Sequence, residues 1–253
     1  MPLESITAKF ERAKEHIGHL NSEVGLFLQR NPYRQSSYDD PDTGDHVVEL
    51  QIIEGPPPRL LAILGDAIHN LRACLDYLAG DFVVANGGTP DRNTAFPICD
   101  RAEDIDRTIA RNIRGASDEI VRMIKGLNPH EGGDGLGDAL WRLHRLDIVD
   151  KHRLLITTAT CIRSISIGPS AIPLGDFFPD LPEPRTLPPK GVALKHGAVL
   201  LRTKRANLSP MHMDPEFQFQ IAFGEIVEGK PLIPQLMELL NLVDRVVPIF
   251  HTT

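Results

Sequence analysis

The chain contains few cysteines, the residues on which disulfide-rich and zinc-ribbon proteins depend for their stability. It contains only three cysteines in 253 residues, Cys74, Cys99 and Cys161, and no CxxC pair. A disulfide framework needs closely spaced cysteines in even number, and a zinc ribbon needs them in pairs. The sequence therefore predicts three reduced thiols, which is typical of a cytoplasmic protein.

Long apolar runs are also missing. No stretch approaches the roughly 18 apolar residues that a membrane-spanning helix requires. The first residues, MPLESITAKFERAKEH, lack the basic start and the apolar stretch of a secretory signal. We therefore expect a protein that is not embedded in a membrane, and we expect a cytoplasmic location.

The chain has no excess of basic charge, because it contains 27 Lys and Arg but 34 Asp and Glu, which gives a formal net charge of -7. Extensive nucleic-acid binding is not expected, because it needs many clustered cations to displace counterions from phosphates. The densest basic group consists of Lys195, Arg202, Lys204 and Arg205. It indicates either a solvated strand face or a local nucleic-acid contact.

Standard catalytic motifs are absent. The sequence contains no GxGxxG, GxxxxGK, HExxH or GxSxG pattern, so nucleotide-dependent, zincin and α/β-hydrolase activities have no support and no cofactor is indicated. The glycine-rich string HEGGDGLG at 130–137 predicts a flexible connection. Its residues His130 and Glu131 could bind a metal only together with distant ligands.

What is present is a globular composition, with 42% hydrophobic residues, and a clear order of elements. Apolar spacings of three and four predict long helices over 5–30, 57–85 and 136–155, with shorter ones near 103–113 and 117–126. β-Branched runs predict a strand at 46–55 and further strands over about 155–227, interrupted by a proline-rich loop at 172–190. A closing helix is predicted at 231–251. We expect a single α+β domain over 1–253: a core of long packed helices within 1–155 and a small antiparallel sheet in the C-terminal half.

The helix at 57–85 carries an unusual polar group. His69, Arg72 and Asp76 fall on the side opposite its apolar stripe, with Asp66 at the edge of the group. One interpretation is a solvated face stabilised by the pairs Asp66 with His69 and Arg72 with Asp76. The other is a functional site.

The helix at 136–155 places Asp150 inside its main apolar stripe and Asp147 close to it. A carboxylate buried without a partner costs several kcal/mol, so Asp150 should be buried and bonded, for example to His69 or Arg72 of a neighbouring helix. A second stripe on the other side contains Trp141, Ile148, His152 and Leu155. This predicts a central helix, with His152 either a core residue or a ligand-binding one.

The blocks HNLRACLDYL at 69–78, FPI at 96–98 and DKHRLL at 150–155 resemble those of a bacterial protein family with no assigned activity. The resemblance implies a shared fold and marks candidate positions. Arg145 and His152, separated by six residues on one helix, are also similar in spacing to the pair of the all-helical HEPN ribonucleases. That similarity implies metal-independent RNA cleavage by these two residues, usually across a dimer interface; the predicted strands and the acidic balance depart from that family.

Three functional hypotheses follow. The first is a binding or scaffold protein whose cluster of His69, Arg72, Asp76, Asp147, Asp150 and His152 orders the helical core. The second is a hydrolase or HEPN-like ribonuclease that uses the same cluster for acid–base chemistry, with Lys151, Arg145 and Arg153 as further ligand-binding candidates. The third is a metal site formed by His69, Asp76 and Asp150. No partner is indicated, and a homo-oligomer is compatible with the sequence.

Overall fold

A computed structural model describes residues 3–153, 155, 157–167, 170–173, 194–204, 217–227 and 229–250. The chain divides into two compact units. The helical unit comprises Met1–Asn21, Pro58–Leu155 and Ile233–Thr253, and the sheet unit comprises Ser22–Pro57 and Ile156–Leu232. The expected α+β class with packed helices is confirmed, whereas the single domain over 1–253 stays a prediction.

The helices follow the predicted order closely. They are α1 (Leu3–Gln29), α2 (Pro58–Ala85), α3 (Ile105–Asn112), α4 (Asp118–Gly126), α5 (Gly137–His152) and α6 (Leu232–Ile249). The residues at the first positions of α2 and α4 explain why these helices begin there. Pro58 occupies the first position of α2, where its missing N–H is not needed. The Ser117 hydroxyl accepts the Ile120 N–H at 3.2 Å and so caps α4, as predicted.

The core of the helical unit is built from the predicted apolar stripes. On α2, Leu64, Leu71 and Leu75 are fully buried, and on α5 Leu140 and Leu143 are fully buried. The helices α2 and α5 are packed neighbours, as predicted. Their contact includes Gly65, whose missing side chain leaves room for the Asp150 carboxylate. This helix pair positions every residue of the candidate site.

The described residues of the sheet unit form two antiparallel three-stranded sheets. In one, the order is β1 (Tyr33–Asp39), β2 (Asp45–Ile52) and β5 (Val199–Lys204), with Tyr33 opposite Ile52. In the other, β4 (Ser170–Pro173), β3 (Thr157–Ile167) and β6 (Phe217–Phe223) lie side by side, with Thr157 opposite Phe223. The strands β3, β5 and β6 agree with the predictions for the C-terminal half. The strand β4 does not, because Ile172 and Pro173 begin the segment that was predicted to be an irregular loop, and they pair instead with β3.

The hairpin β1–β2 differs from prediction, because residues 31–46 suggested only a turn-rich exit from α1. Asp40 accepts the N–H groups of Asp42 and Thr43 at 3.0 and 3.2 Å, and Gly44 has a φ of 66°. This tight turn reverses the chain and allows the polar segment before it to pair with β2. The proline-rich loop from residue 174 onward lies outside the described residues.

Within the described part of the chain, no helix is both long and apolar enough to cross a bilayer. Cys74 and Cys99 are buried free thiols, in agreement with the predicted reduced state. Burial raises the pKa of the Cys74 thiol to about 12, so this sulfur stays protonated. The side chain of Cys161 lies outside the described residues.

Candidate functional site

Arg72 and Asp76 of α2 together hold the backbone of Phe96. Arg72 Nη2 lies 2.9 Å from Asp76 Oδ1 and donates to the Phe96 carbonyl at 2.9 Å. Asp76 Oδ1 also accepts the Phe96 N–H at 3.0 Å. Both peptide groups of a fully buried aromatic residue are thereby satisfied. This arrangement, the Arg72–Asp76 clamp, docks the FPI segment on α2.

The burial of Arg72 corrects the interpretation of a solvated helix face. Its side chain is only 3% exposed. Burial lowers the pKa of Arg72, while the carboxylates of Asp76 and Asp147 raise it. The predicted Arg72–Asp76 pair is confirmed, with the guanidinium in the interior and the Asp76 side chain 30% exposed. Among the described residues, the second terminal nitrogen, Nη1, has no hydrogen-bond partner.

His69 pairs with Asp147 of α5 instead of with Asp66. The His69 Nδ1 atom lies 3.0 Å from Asp147 Oδ1, and the Lys151 Nζ atom lies 2.6 Å from Asp147 Oδ2. The Asp147 side chain is 2% exposed, whereas the His69 side chain is 53% exposed. An interior carboxylate thus holds an imidazole that solvent can reach.

The hydrogen bond to Asp147 indicates which nitrogen of His69 carries the proton. An ionised carboxylate can only accept hydrogen bonds, so Nδ1 must donate to it. In the neutral imidazole, Nε2 then keeps its lone pair. This is the tautomer in which a histidine serves as a general base.

Asp150 is not the buried, bonded residue that its position in the stripe predicted. It is half-buried, and no described residue forms a hydrogen bond or an ion pair with it. Burial raises the pKa of the Asp150 carboxyl, the nearby carboxylates of Asp147 and Asp66 raise it further, and His69 lowers it. The prediction was wrong because Asp147 takes the interior position between the helices.

Sequence reasoning missed His144, which lies one turn before Asp147 on α5. Burial and the nearby Arg72 lower the pKa of His144 to about 4, so it is neutral at physiological pH. Its Nδ1 atom is buried without a hydrogen-bond partner in the described part of the chain. The sequence does contain a signal for this residue, because spacings of three and four place His144, Asp147 and Lys151 on one face of the helix.

The other predicted positions do not join the site. His152 is exposed, which contradicts the first of its two predicted alternatives, a core residue. Arg153 is also exposed, and Arg145 is half-buried. No described contact links Arg145 or His152 to His69 or Asp147. Of the nine candidates, the structure brings together His69, Asp147 and Lys151 in one group and Arg72 and Asp76 in the other, with Asp150 beside the first.

The metal hypothesis finds no set of ligands. Among the residues that the structure describes, no three His, Cys, Asp or Glu side chains converge to hold an ion. His69, Asp76 and Asp150 therefore do not form the site that was considered. His130 and Glu131 likewise find no third ligand in the described ranges.

Two residues of the basic group, Arg202 and Lys204, pair with nearby acids. Arg202 contacts Asp40 at 2.8 Å and Asp45 at 3.7 Å, and Lys204 contacts Asp45 at 2.6 Å. Lys195 is exposed, and Arg205 lies outside the described residues. These pairs favour a solvated strand face over a nucleic-acid contact.

Comparison with known proteins identifies no relative: no protein family, no curated protein and no solved structure matches the chain. The candidate site has two parts. Its interior part is the Arg72–Asp76 clamp, and its accessible part is the group of His69, Asp147 and Lys151 with Asp150 beside it, which we call the His69 site.

Proposed function

We propose that this protein is a hydrolase of the bacterial cytoplasm that uses His69 as its general base. One observation carries the proposal: the interior Asp147 carboxylate, 2% exposed, fixes Nδ1 of a half-exposed histidine at 3.0 Å. The pair presents a basic Nε2 atom at the surface, with the imidazolium form stabilised by the carboxylate behind it. The free thiols of Cys74 and Cys99 support the cytoplasmic location.

The charges around His69 indicate the substrate class. The carboxylates of Asp66 and Asp147 act electrostatically on Asp150, and Lys151 is the cation paired with Asp147. Such an acidic surrounding repels a phosphodiester and accepts a neutral or cationic substrate. Carboxylic esters fit this requirement, which makes RNA the less favoured substrate.

The reaction needs only water and the described side chains. A water molecule beside Nε2 gives a proton to that nitrogen while its oxygen attacks the carbonyl carbon of the ester. The resulting imidazolium then returns the proton to the departing alcohol oxygen, and a carboxylic acid remains. Asp147 keeps its charge throughout and stabilises the imidazolium.

The experiment compares two histidine variants on a panel of neutral chromogenic esters and one single-stranded RNA. His69→Asn keeps a donor for Asp147 at the position of Nδ1 but lacks Nε2, so ester hydrolysis should fall by about 10²–10⁴-fold. His152→Asn, on an exposed residue of α5, is the matched control and should keep the parent rate. Loss of RNA cleavage in His152→Asn alone would instead establish the ribonuclease hypothesis.

A second readout does not depend on finding the substrate. Nitrogen NMR of labelled protein should show the neutral His69 ring with its proton on Nδ1, and Asp147→Asn should weaken this preference, because an amide can donate to Nδ1 as well as accept from it. A ring with its proton on Nε2 in the parent protein contradicts the proposal.

The scaffold role is the second candidate, and the Arg72–Asp76 clamp favours it. The clamp satisfies the backbone of Phe96 in the interior, which orders the core without requiring chemistry. If His69→Asn and Asp147→Asn lower only the free energy of unfolding, and no ester is hydrolysed by the parent, the whole cluster is structural.

A further inference from the structure

A polar pocket lies far along α2 from the His69 site. Its volume is about 650 Å³, and its lining includes Thr89, Asn93, Thr94, Arg111, Asn112 and Arg114. This volume is within the range of roughly 300–1,000 Å³ that small-molecule sites have in proteins. The lining is provided by the loop after α2 and by the end of α3 with the residues that follow it.

Two guanidinium groups give the pocket its charge. In the described part of the chain, no carboxylate pairs with Arg111 or Arg114. The other arginine of α3, Arg107, differs in this respect, because it contacts Asp104 at 3.0 Å. The pocket therefore has two cations without acidic partners, which is the feature that a dianion requires.

The Arg111 side chain is held at one end. Its Nε atom donates to the Asn112 side-chain oxygen at 2.9 Å, and Asn112 is itself buried. With Nε engaged, the two terminal nitrogens remain to form a bidentate contact with an oxyanion. A fixed guanidinium loses less conformational entropy on binding than a mobile one.

Another part of the lining is a hydrogen-bonded turn. The Asp91 carboxylate accepts the Asn93 N–H at 2.7 Å, and the Thr94 hydroxyl accepts the Asp91 N–H at 2.8 Å. Asp91, the one carboxylate among the described residues of the lining, is thus engaged in the turn and offsets only part of the charge of the two arginines. Nearby carbonyls at the end of α2 are also engaged, since Gly88 donates to Val83 at 2.9 Å.

We propose that this pocket binds a small phosphorylated ligand, with Arg111 and Arg114 on its phosphate group. Arg111 forms the bidentate contact, and Arg114 adds the second charge at the rim. The site is separate from the His69 site, so it binds an effector or a second substrate group and does not depend on the hydrolase proposal.

The test is a titration of the 28.0 kDa protein with inorganic phosphate and pyrophosphate, followed by amide NMR. Both anions should shift the amide signals of Thr89, Asn93 and Gly115, which line the pocket, and succinate, a carboxylate dianion, should bind more weakly. Arg111→Gln with Arg114→Gln should weaken binding by about tenfold or more, the effect of losing a charge-assisted hydrogen bond.

The matched control is Arg107→Gln, which removes a paired cation from the same helix and should leave binding unchanged. Arg114→Gln alone, at an exposed residue with no described partner, guards against a folding defect. The proposal is overturned if neither anion shifts these amides, if the double variant binds as the parent does, if succinate binds as tightly as pyrophosphate, or if Arg107→Gln weakens binding equally.

Discussion

Asp150 lies against the backbone of Gly65, with its carboxylate in the space that a Cβ atom at position 65 would occupy. The absence of a side chain on α2 is therefore what allows α5 to bring this carboxylate beside Asp147 and Asp66. The contact joins the packing of the two helices to the electrostatics of the His69 site.

Three glycine-to-alanine substitutions should differ in their effect on the free energy of unfolding, because the added Cβ would meet backbone, a side chain or nothing. Gly137→Ala should lower the free energy of unfolding by roughly 2–3 kcal/mol, because its Cβ would meet the backbone carbonyl of Asn128. A backbone carbonyl cannot rotate away as a side chain can. Gly65→Ala should cost only about 1 kcal/mol, since the half-buried Asp150 can rotate away. Gly18→Ala meets nothing and should stabilise α1 by about 0.5–1 kcal/mol. Urea denaturation measures all three, and equal values for Gly137→Ala and Gly18→Ala would contradict the close contact.

Asp150→Asn should stabilise the protein at neutral pH. Burial and the carboxylates of Asp147 and Asp66 raise the pKa of Asp150 in the folded protein, so its ionised form costs stability. The protonated carboxyl contributes stability that is complete below its unfolded pKa, and this stability is lost as pH rises through the folded pKa. The Tm difference from the parent should therefore be positive at pH 7 and vanish below about pH 3. Asp134→Asn, on an exposed residue just before α5, should change Tm little. A variant less stable at pH 7 would mean that Asp150 has a stabilising partner.

The Arg72–Asp76 clamp should be among the most costly polar features to remove. Arg72→Ala leaves the Phe96 carbonyl in the interior without its donor and removes the cation paired with Asp76. Because the Asp76 side chain is 30% exposed and keeps the Phe96 N–H as a donor, the free energy of unfolding should fall by about 2–3 kcal/mol. Arg12→Ala removes an exposed pair with Glu15 and should cost less than about 1 kcal/mol.

Hydrogen exchange adds a local readout for the clamp. Asp76→Ala removes the acceptor of the Phe96 N–H, so this amide should exchange faster than in the parent, beyond any change in global stability. Unchanged protection of the Phe96 amide would show that the FPI segment is held by packing alone.

The sequence predicted what depends on short-range spacing. The α2 and α5 stripes, the Ser117 cap and the Arg72–Asp76 pair all connect residues within one helix or turn, where geometry is nearly fixed. The docking of Phe96 on two residues that lie 24 and 20 positions earlier, and the pairing of β1 with β2, depend on contacts that spacing does not determine. The same limit explains Asp147 and Asp150: both lie near one stripe, and only the approach of α2 decides which carboxylate enters the interior.

His144 should make the stability of the protein fall as the solution becomes acidic. Its pKa is lowered from 6.5 to about 4, first by burial and then by Arg72 and Lys151, with Asp147 and Asp100 acting in the opposite direction. A base with a depressed pKa contributes stability that is complete above its unfolded pKa and is lost as pH falls through its folded pKa. One pKa unit corresponds to about 1.4 kcal/mol, so complete protonation removes up to about 3 kcal/mol.

The measurement is the free energy of unfolding between about pH 7 and pH 4, taken for the parent and for two glutamine variants. His144→Gln cannot gain the buried charge, so its stability should change less over this range than that of the parent, although the variant is less stable at pH 7 because a well-packed ring is lost. His152→Gln removes an exposed histidine from the same helix and should keep the full pH dependence of the parent. Carboxylates elsewhere titrate equally in all three proteins, so the difference between the two variants reports the protonation of His144. If the free energies of unfolding of both variants change equally with pH, His144 takes up its proton outside the interior.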